Sequence, residues 1–206
     1  MKSKFLFSLV LCLLFSSQSY TQSIRDVGIR IGITSSNQSM PQYPDSKRRT
    51  GFVGGGFIEW NTIPMLSLVT QVEFVNRGCI IEMPRTDANS PDPVGIISID
   101  SKLSYFSFSV YAKFYLKIAD ITPYIIVGPR IDYLFDYNSD AFQSIYNDFK
   151  KVIFSGQFGF GLEVDSELPV RPYAELRYVF DFTDSYKPDN YKIRNNSFDI
   201  TFGVLF

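Results

Sequence analysis

Apolar residues recur at every second position in segment after segment of this chain. In "VIFSGQFGFGLEVD" (152–165), Val152, Phe154, Phe158, Phe160, Leu162 and Val164 form one row, and Ser155, Gln157, Gly159, Gly161 and Glu163 form the other. A period of two is the mark of a β-strand with unlike faces. The same pattern predicts strands over Ile24–Ile33, Gly51–Trp60, Leu66–Gly78, Leu103–Leu116, Pro123–Tyr137, Val152–Asp165, Val170–Phe182 and Ser197–Phe206. Most of these segments hold ten or more residues. Strands of soluble domains average about five or six, whereas a tilted strand crossing a bilayer needs ~9–11.

The connections alternate between long and short. Thr34–Thr50, Cys79–Lys102, Asn138–Lys151 and Thr183–Asn196 are long. Asn61–Met65, Lys117–Thr122 and Ser166–Pro169 are short. Within the third long connection, "DAFQSIYNDFKK" has the look of a brief helix. All long loops then fall at one end of the sheet, with both termini at the other, as in membrane barrels with short periplasmic turns and longer outer loops. The predicted fold is an all-β, eight-stranded antiparallel up-and-down transmembrane β-barrel. It forms one domain over residues 23–206, with strand eight closing on strand one.

Alternation by itself suits a soluble barrel and a membrane barrel equally; size separates them. Eight strands enclose an interior just wide enough for side chains to fill. Rows of Phe, Leu and Val would crowd it. The opposite rows mix Gly and Ser with nine charges: Glu73, Arg77, Lys113, Arg130, Asp132, Glu163, Glu175, Arg177 and Asp199. Four bases against five acids suit a narrow polar lumen, because an unpaired charge there is strongly unfavourable. These residues are expected to form an ion-pair network that plugs the barrel, with the apolar rows on lipid. Trp60, Tyr124, Tyr133, Tyr137, Tyr173 and Tyr178 are expected as girdle aromatics.

Composition removes several functions. The chain has no histidine, and its 20 basic residues nearly match its 21 acidic ones. Without histidine there is no Ser-His-Asp or Cys-His arrangement. The charge balance gives no reason to expect nucleic acid as a partner. No cofactor, catalytic or metal-ligating set is identified; the acidic pair Asp132 and Asp136 reads as structural. "GFVGGGF" is a glycine-rich strand, since no helix and no Lys-Ser/Thr follow it. "DANSPDP" offers oxygen ligands without a calcium-loop pattern. The sequons at Asn37 and Asn195 are short, common matches and carry no weight alone.

The first 22 residues read differently. Lys2 and Lys4 precede an apolar run from Phe5 to Phe15 and then small polar residues, the layout of a secretory signal peptide cut somewhere within 17–23. Leu11 and the continuing apolar run argue against lipidation at Cys12. Cys79 then remains as a lone, inert thiol.

Specific stretches carry a resemblance. "QVEFVNRGC", "LSYFSFSVYAKFYL", "TPYIIVGPR" and "YAELRYVFDFTD" resemble strands of the Bacteroidota outer-membrane β-barrel family, the PorT-like proteins with an outer membrane protein beta-barrel domain. Ser107 and Ser109 stand where that family often has Glu and Pro. The resemblance implies a barrel in the outer membrane, in contact with lipid and lipopolysaccharide. It also implies, for some members, association with secretion or gliding machinery.

The function expected from these features is that of a non-enzymatic barrel with a plugged lumen and a structural, adhesive or secretion-machinery-associated role through its outer loops. A small-solute porin and a soluble lipocalin-like ligand-binding barrel are the alternatives. Lys47, Arg48 and Arg49 form a basic cluster in loop one that could meet lipopolysaccharide phosphates. Phe206, at the end of an alternating strand, resembles the signal read by the barrel-assembly machinery.

Overall fold

A computed structural model describes residues 23–39, 46–87, 90–139, 148–165, 169–186 and 193–206. The signal segment, residues 140–147 of the predicted brief helix and the centres of several loops lie outside these residues; the last four residues of that stretch, 148–151, are not helical, and Phe149 makes a β-bridge instead. Eight strands follow in order: β1 (Ile24–Ser39), β2 (Lys47–Ile63), β3 (Leu66–Asp87), β4 (Ser90–Tyr115), β5 (Ile121–Ser139), β6 (Val152–Val164), β7 (Arg171–Asp181) and β8 (Arg194–Leu205). Each pairs antiparallel with its neighbours in sequence, and β1 pairs with β8 from Gly28↔Leu205 to Ser39↔Arg194, closing the barrel. Closure satisfies the backbone groups of both end strands, which a bilayer core demands. Among the described residues no helix is long and apolar enough to cross a membrane; the crossing is made by strands.

The polarity is inverted relative to a soluble barrel. Phe154, Phe158, Phe160 and Leu162 of β6, with Phe198, Ile200 and Phe202 of β8, are exposed on the outside. Ser155, Gln157, Glu163, Asp199 and Thr201, on the alternate positions of the same strands, are buried inside. Period two makes this sorting automatic once one residue of a strand is placed.

Short turns join the strands at one end. Ile63 and Leu66 pair across a two-residue turn in which Pro64 precedes Met65 at φ 69°. Proline there supplies the fixed φ of the first turn position, and Met65 takes the left-handed second position that usually falls to glycine. Ser23 and Phe206 lie at this end too: Asn61 N donates to Ser23 O at 3.1 Å, and Phe206 N to Val27 O at 2.8 Å.

The other end differs from the expected loops. Cys79–Lys102 is not an irregular connection, because β3 and β4 stay paired from Leu66↔Phe114 up to Asp87↔Ser90. β2 leaves β3 at Ile80 and β5 leaves β4 at Ser101, so the remainder is a free two-stranded arm. Pro84, Pro91 and Pro93 sit in that arm, where no outer neighbour needs their missing N–H. Among the described side chains of the arm only Ile81 and Ile99, paired at its base, are buried; past them no buried row imposes alternation, which is why its strands carried no periodic signal. Thr34–Thr50 is likewise mostly ladder, paired as far as Ser36↔Arg49.

Candidate functional site in the lumen

The inner surface carries charged, aromatic and apolar side chains, and their kind changes along the axis. At the short-turn end, Lys113 Nζ binds Glu59 Oε2 at 2.6 Å and also Glu163. Arg25 reaches Glu59 Oε1 at 2.7 Å and lies over the Tyr115 ring at 4.0 Å. Arg171 pairs with Asp26 and, at 3.4 Å, with Glu163.

Next inward comes an apolar and aromatic layer of Phe57, Val69, Tyr111, Tyr124, Ile126, Tyr173 and Leu205. Glycines make room for it: a Cβ on Gly28 would lie 2.6 Å from a Phe57 ring carbon. Phe57 and Tyr173 meet edge to face with centroids 5.8 Å apart. A gap between this layer and the ion pairs around it measures about 10 Å³, room for no more than about one water.

The centre is an arginine–carboxylate network. Arg30 Nε lies 3.0 Å from Glu73 Oε1, and Arg30 Nη1 donates to Glu175 Oε1 at 3.0 Å. Arg130 bridges Glu73 Oε2 at 3.1 Å and Asp132 Oδ1 at 2.6 Å. Arg177 holds Glu175 at 2.6 Å and donates to Gln157 Oε1 at 2.9 Å. Arg77 Nη1 reaches Asp132 Oδ2 at 3.1 Å, and the Ser107 and Ser155 hydroxyls donate to Asp132 as well. The four arginines are at most 2 % exposed. Bidentate, fork-shaped donors suit such sharing between carboxylates better than lysine would.

Toward the outer mouth the lumen turns apolar again, with Val53, Val75, Leu103, Tyr105, Leu134 and Ile153. Phe149 and Ile193, from outside the strands, fold onto them. Phe149 meets Tyr186 edge-on at 5.7 Å, and their backbones form a bridge between the segments that follow β5 and β7.

The nine charges singled out from the sequence all lie on the inner surface, each at most 5 % exposed. Eight of them are brought into ion pairs; Asp199 is not. Sequence reasoning missed Arg30, Glu59 and Asp181. Arg30 stands between Ile29 and Ile31 on the alternate row of β1, and following that row would have found it. Tyr124 and Tyr173 are not girdle residues. Both point inward, and the Tyr124 hydroxyl donates to Glu175 Oε2 at 3.1 Å. Tyr137 packs against the outer apolar layer, while Tyr133 is exposed on the outside. Asp136 is exposed and Asp132 buried, so they form no working acidic pair. The Asn195 side chain is buried against Asp181, which excludes a glycan there. Cys79 is buried and its thiol donates to Gln38 Oε1 at 3.2 Å. No group of three or more His, Cys, Asp or Glu side chains with metal-binding spacing occurs among the described residues.

The basic cluster lies on the β2 ladder, not in a loop. Lys47 pairs with Glu82 at 2.6 Å and Arg49 with Asp100 at 2.6 Å. Arg48 lies 5.1 Å over the exposed Phe198 ring and donates to Ser35 and Asn196; it has no carboxylate partner among the described residues.

An apolar outer wall around an interior that carries buried charges defines an integral β-barrel of the bacterial outer membrane, in contact with its lipid. Residues 16–204 match the family model described as outer membrane protein beta-barrel domain, and the chain belongs to that family. No curated protein matches the chain significantly. Among solved structures, it is similar to Ail, the attachment invasion locus protein of Yersinia pestis, with 16 % identity, 88 % of this chain and 98 % of that one covered, and a TM-score of 0.44. Neisserial surface protein A matches with 13 % identity, coverage of 87 % and 97 %, and a TM-score of 0.49. OprG from Pseudomonas aeruginosa matches with 11 % identity, coverage of 90 % and 97 %, and a TM-score of 0.49.

Proposed function

We propose that this protein is a non-enzymatic outer-membrane barrel with a plugged lumen. Its working surface is the outer end, in a structural, adhesive or secretion-machinery-associated role. The observation that carries the reading is the succession of ion pairs and apolar layers among the described residues inside the barrel. The resemblance of four strands to PorT-like proteins of the Bacteroidota supports the machinery-associated variant. Purified barrel in planar bilayers should give no large, steady conductance. A stable aqueous pore would replace this reading with a small-solute porin.

At the outer rim the reading assigns lipopolysaccharide contact to Arg48 rather than to the whole basic cluster, because Lys47 and Arg49 already have acidic partners. Arg48→Ser should weaken lipopolysaccharide binding more than Lys47→Ser does; equal effects would remove this assignment. Phe206 serves as the assembly signal in the same reading. Its deletion should lower outer-membrane levels through poorer recognition by the barrel-assembly machinery, and unchanged levels would argue against that role.

A further inference from the structure

Charge does not close inside the barrel. The four arginines of the central and outer lumen face five carboxylates: Glu73, Glu175, Asp132, Asp181 and Asp199. None of these acids is more than 6 % exposed. Glu73 and Glu175 are shared among Arg30, Arg130 and Arg177, and Asp132 lies between Arg77 and Arg130. Asp181 accepts bonds from Asn195, Ser155 and Ser185 and lies 4.0 Å from Arg77. Asp199 is fully buried, and neither of its carboxylate oxygens accepts a hydrogen bond from any described group.

Its surroundings repeat the pattern. The β1–β8 register sets Thr34 across from Asp199, while Ser197 and Asn195 follow Asp199 along the same face of β8. Thr34 Oγ1, Ser197 Oγ and Asn195 Oδ1 are buried and also without a bonded partner. Two guanidinium groups are at hand: Arg177 is the register partner of Asp199 on β7 and is bonded to Glu175 and Gln157, while Arg77 interacts electrostatically with Asp199, bonds Asp132 through Nη1 and leaves its Nε and Nη2 without a bonded partner. Buried polar groups nearly always find a partner, and a lone buried carboxylate is far costlier than a lone hydroxyl. Oxygen donors around one uncompensated negative charge match the chemistry of a hard cation. A divalent ion ordinarily takes more than one carboxylate, whereas the excess here is a single charge.

We infer that Asp199, with Thr34 and Ser197, forms a buried site for a hydrated monovalent cation, Na⁺ or K⁺, enclosed as β8 closes on β1. The ion neutralises the outer lumen and links the two strands that complete the barrel. The test is anomalous diffraction from the refolded barrel crystallised in rubidium chloride. A rubidium peak beside Asp199 is expected in the wild type and should be absent in Asp199→Asn. The thermal unfolding midpoint of the wild type should also rise in potassium over choline chloride at equal ionic strength, while Asp199→Asn shows no such difference. If that variant fails to fold, the wild-type rubidium data decide alone. Density with only water character beside Asp199 would overturn the site. So would an infrared carbonyl band of a neutral carboxyl that Asp199→Asn removes.

Discussion

Gln157 and Phe158 are neighbours in sequence and meet opposite environments. Gln157 is buried in the lumen, where its Oε1 accepts from Arg177 Nη1 at 2.9 Å. Phe158 points to lipid, 53 % exposed to the barrel's surroundings, with its ring 5.4 Å from that of Tyr178. The outer wall is generic: any residue that lipid tolerates and that fits a pleated surface will serve. The inner wall is specific, since most of its charged groups depend on partners from strands far away in sequence. Arg130 and Glu73, for example, are 57 residues apart. Damage to the inner wall should therefore cost more per atom, and it should be repairable only by changing both partners.

The largest effect is expected at Arg130. Arg130→Ala leaves Glu73 and Asp132 short of their shared partner in a buried site, and removing one member of such a pair costs about 3–5 kcal/mol. Urea unfolding of the refolded barrel measures it. A matched apolar replacement of both residues, Arg130→Met with Glu73→Leu, should recover a large part of the loss, because it leaves fewer buried charges uncompensated. If the double variant is less stable than Arg130→Ala alone, the inner wall is not specific in the sense argued here.

An intermediate effect is expected on the outer wall. Phe158 lies midway along β6, and an Arg or Lys at the bilayer midplane costs ~2–4 kcal/mol. Phe158→Lys should destabilise by that amount in lipid, whereas Phe158→Leu should cost much less. The same unfolding assay decides, and a Leu variant as damaging as Lys would show that ring packing, not lipid polarity, governs this face.

This contrast also explains what the sequence disclosed. The outward rows, such as Phe154, Phe158 and Phe160, were legible because lipid contact enforces strict alternation over a whole strand. The side on which Arg177 or Lys113 sits follows from the same period. Its partner does not follow, since register and strand tilt decide which inward residues meet. Tyr124 and Tyr173 were misread because an aromatic near a strand end fits a girdle and an inner layer equally well. Arg30 was overlooked although its row is as regular as any other. The arm beyond Ile80 was illegible for a physical reason: past the buried pair Ile81 and Ile99 at its base, no buried row among the described residues requires its sequence to alternate.

The smallest effect belongs to neither wall but to the rim where they meet water. In the short turns, Lys117 Nζ binds Asp165 Oδ2 at 2.6 Å. The hydrogen bond from Lys117 holds the Asp165 carboxyl below its ordinary value of 3.8. A carboxylate lowered in the folded state contributes stability that is complete above its unfolded value and is lost as pH falls through the folded one. The contribution of this pair should therefore be constant at neutral pH and fade only below about 4. Because Lys117 is mostly exposed, the pair contributes no more than ~0.2–1 kcal/mol and weakens in salt. Lys117→Met should shift the unfolding midpoint slightly at pH 7 in low salt, and the shift should shrink steadily as the pH falls below about 4. A shift that stays constant as the pH falls through the acid range, or one comparable to that of Arg130→Ala, would mean that the rim and the lumen are not energetically distinct.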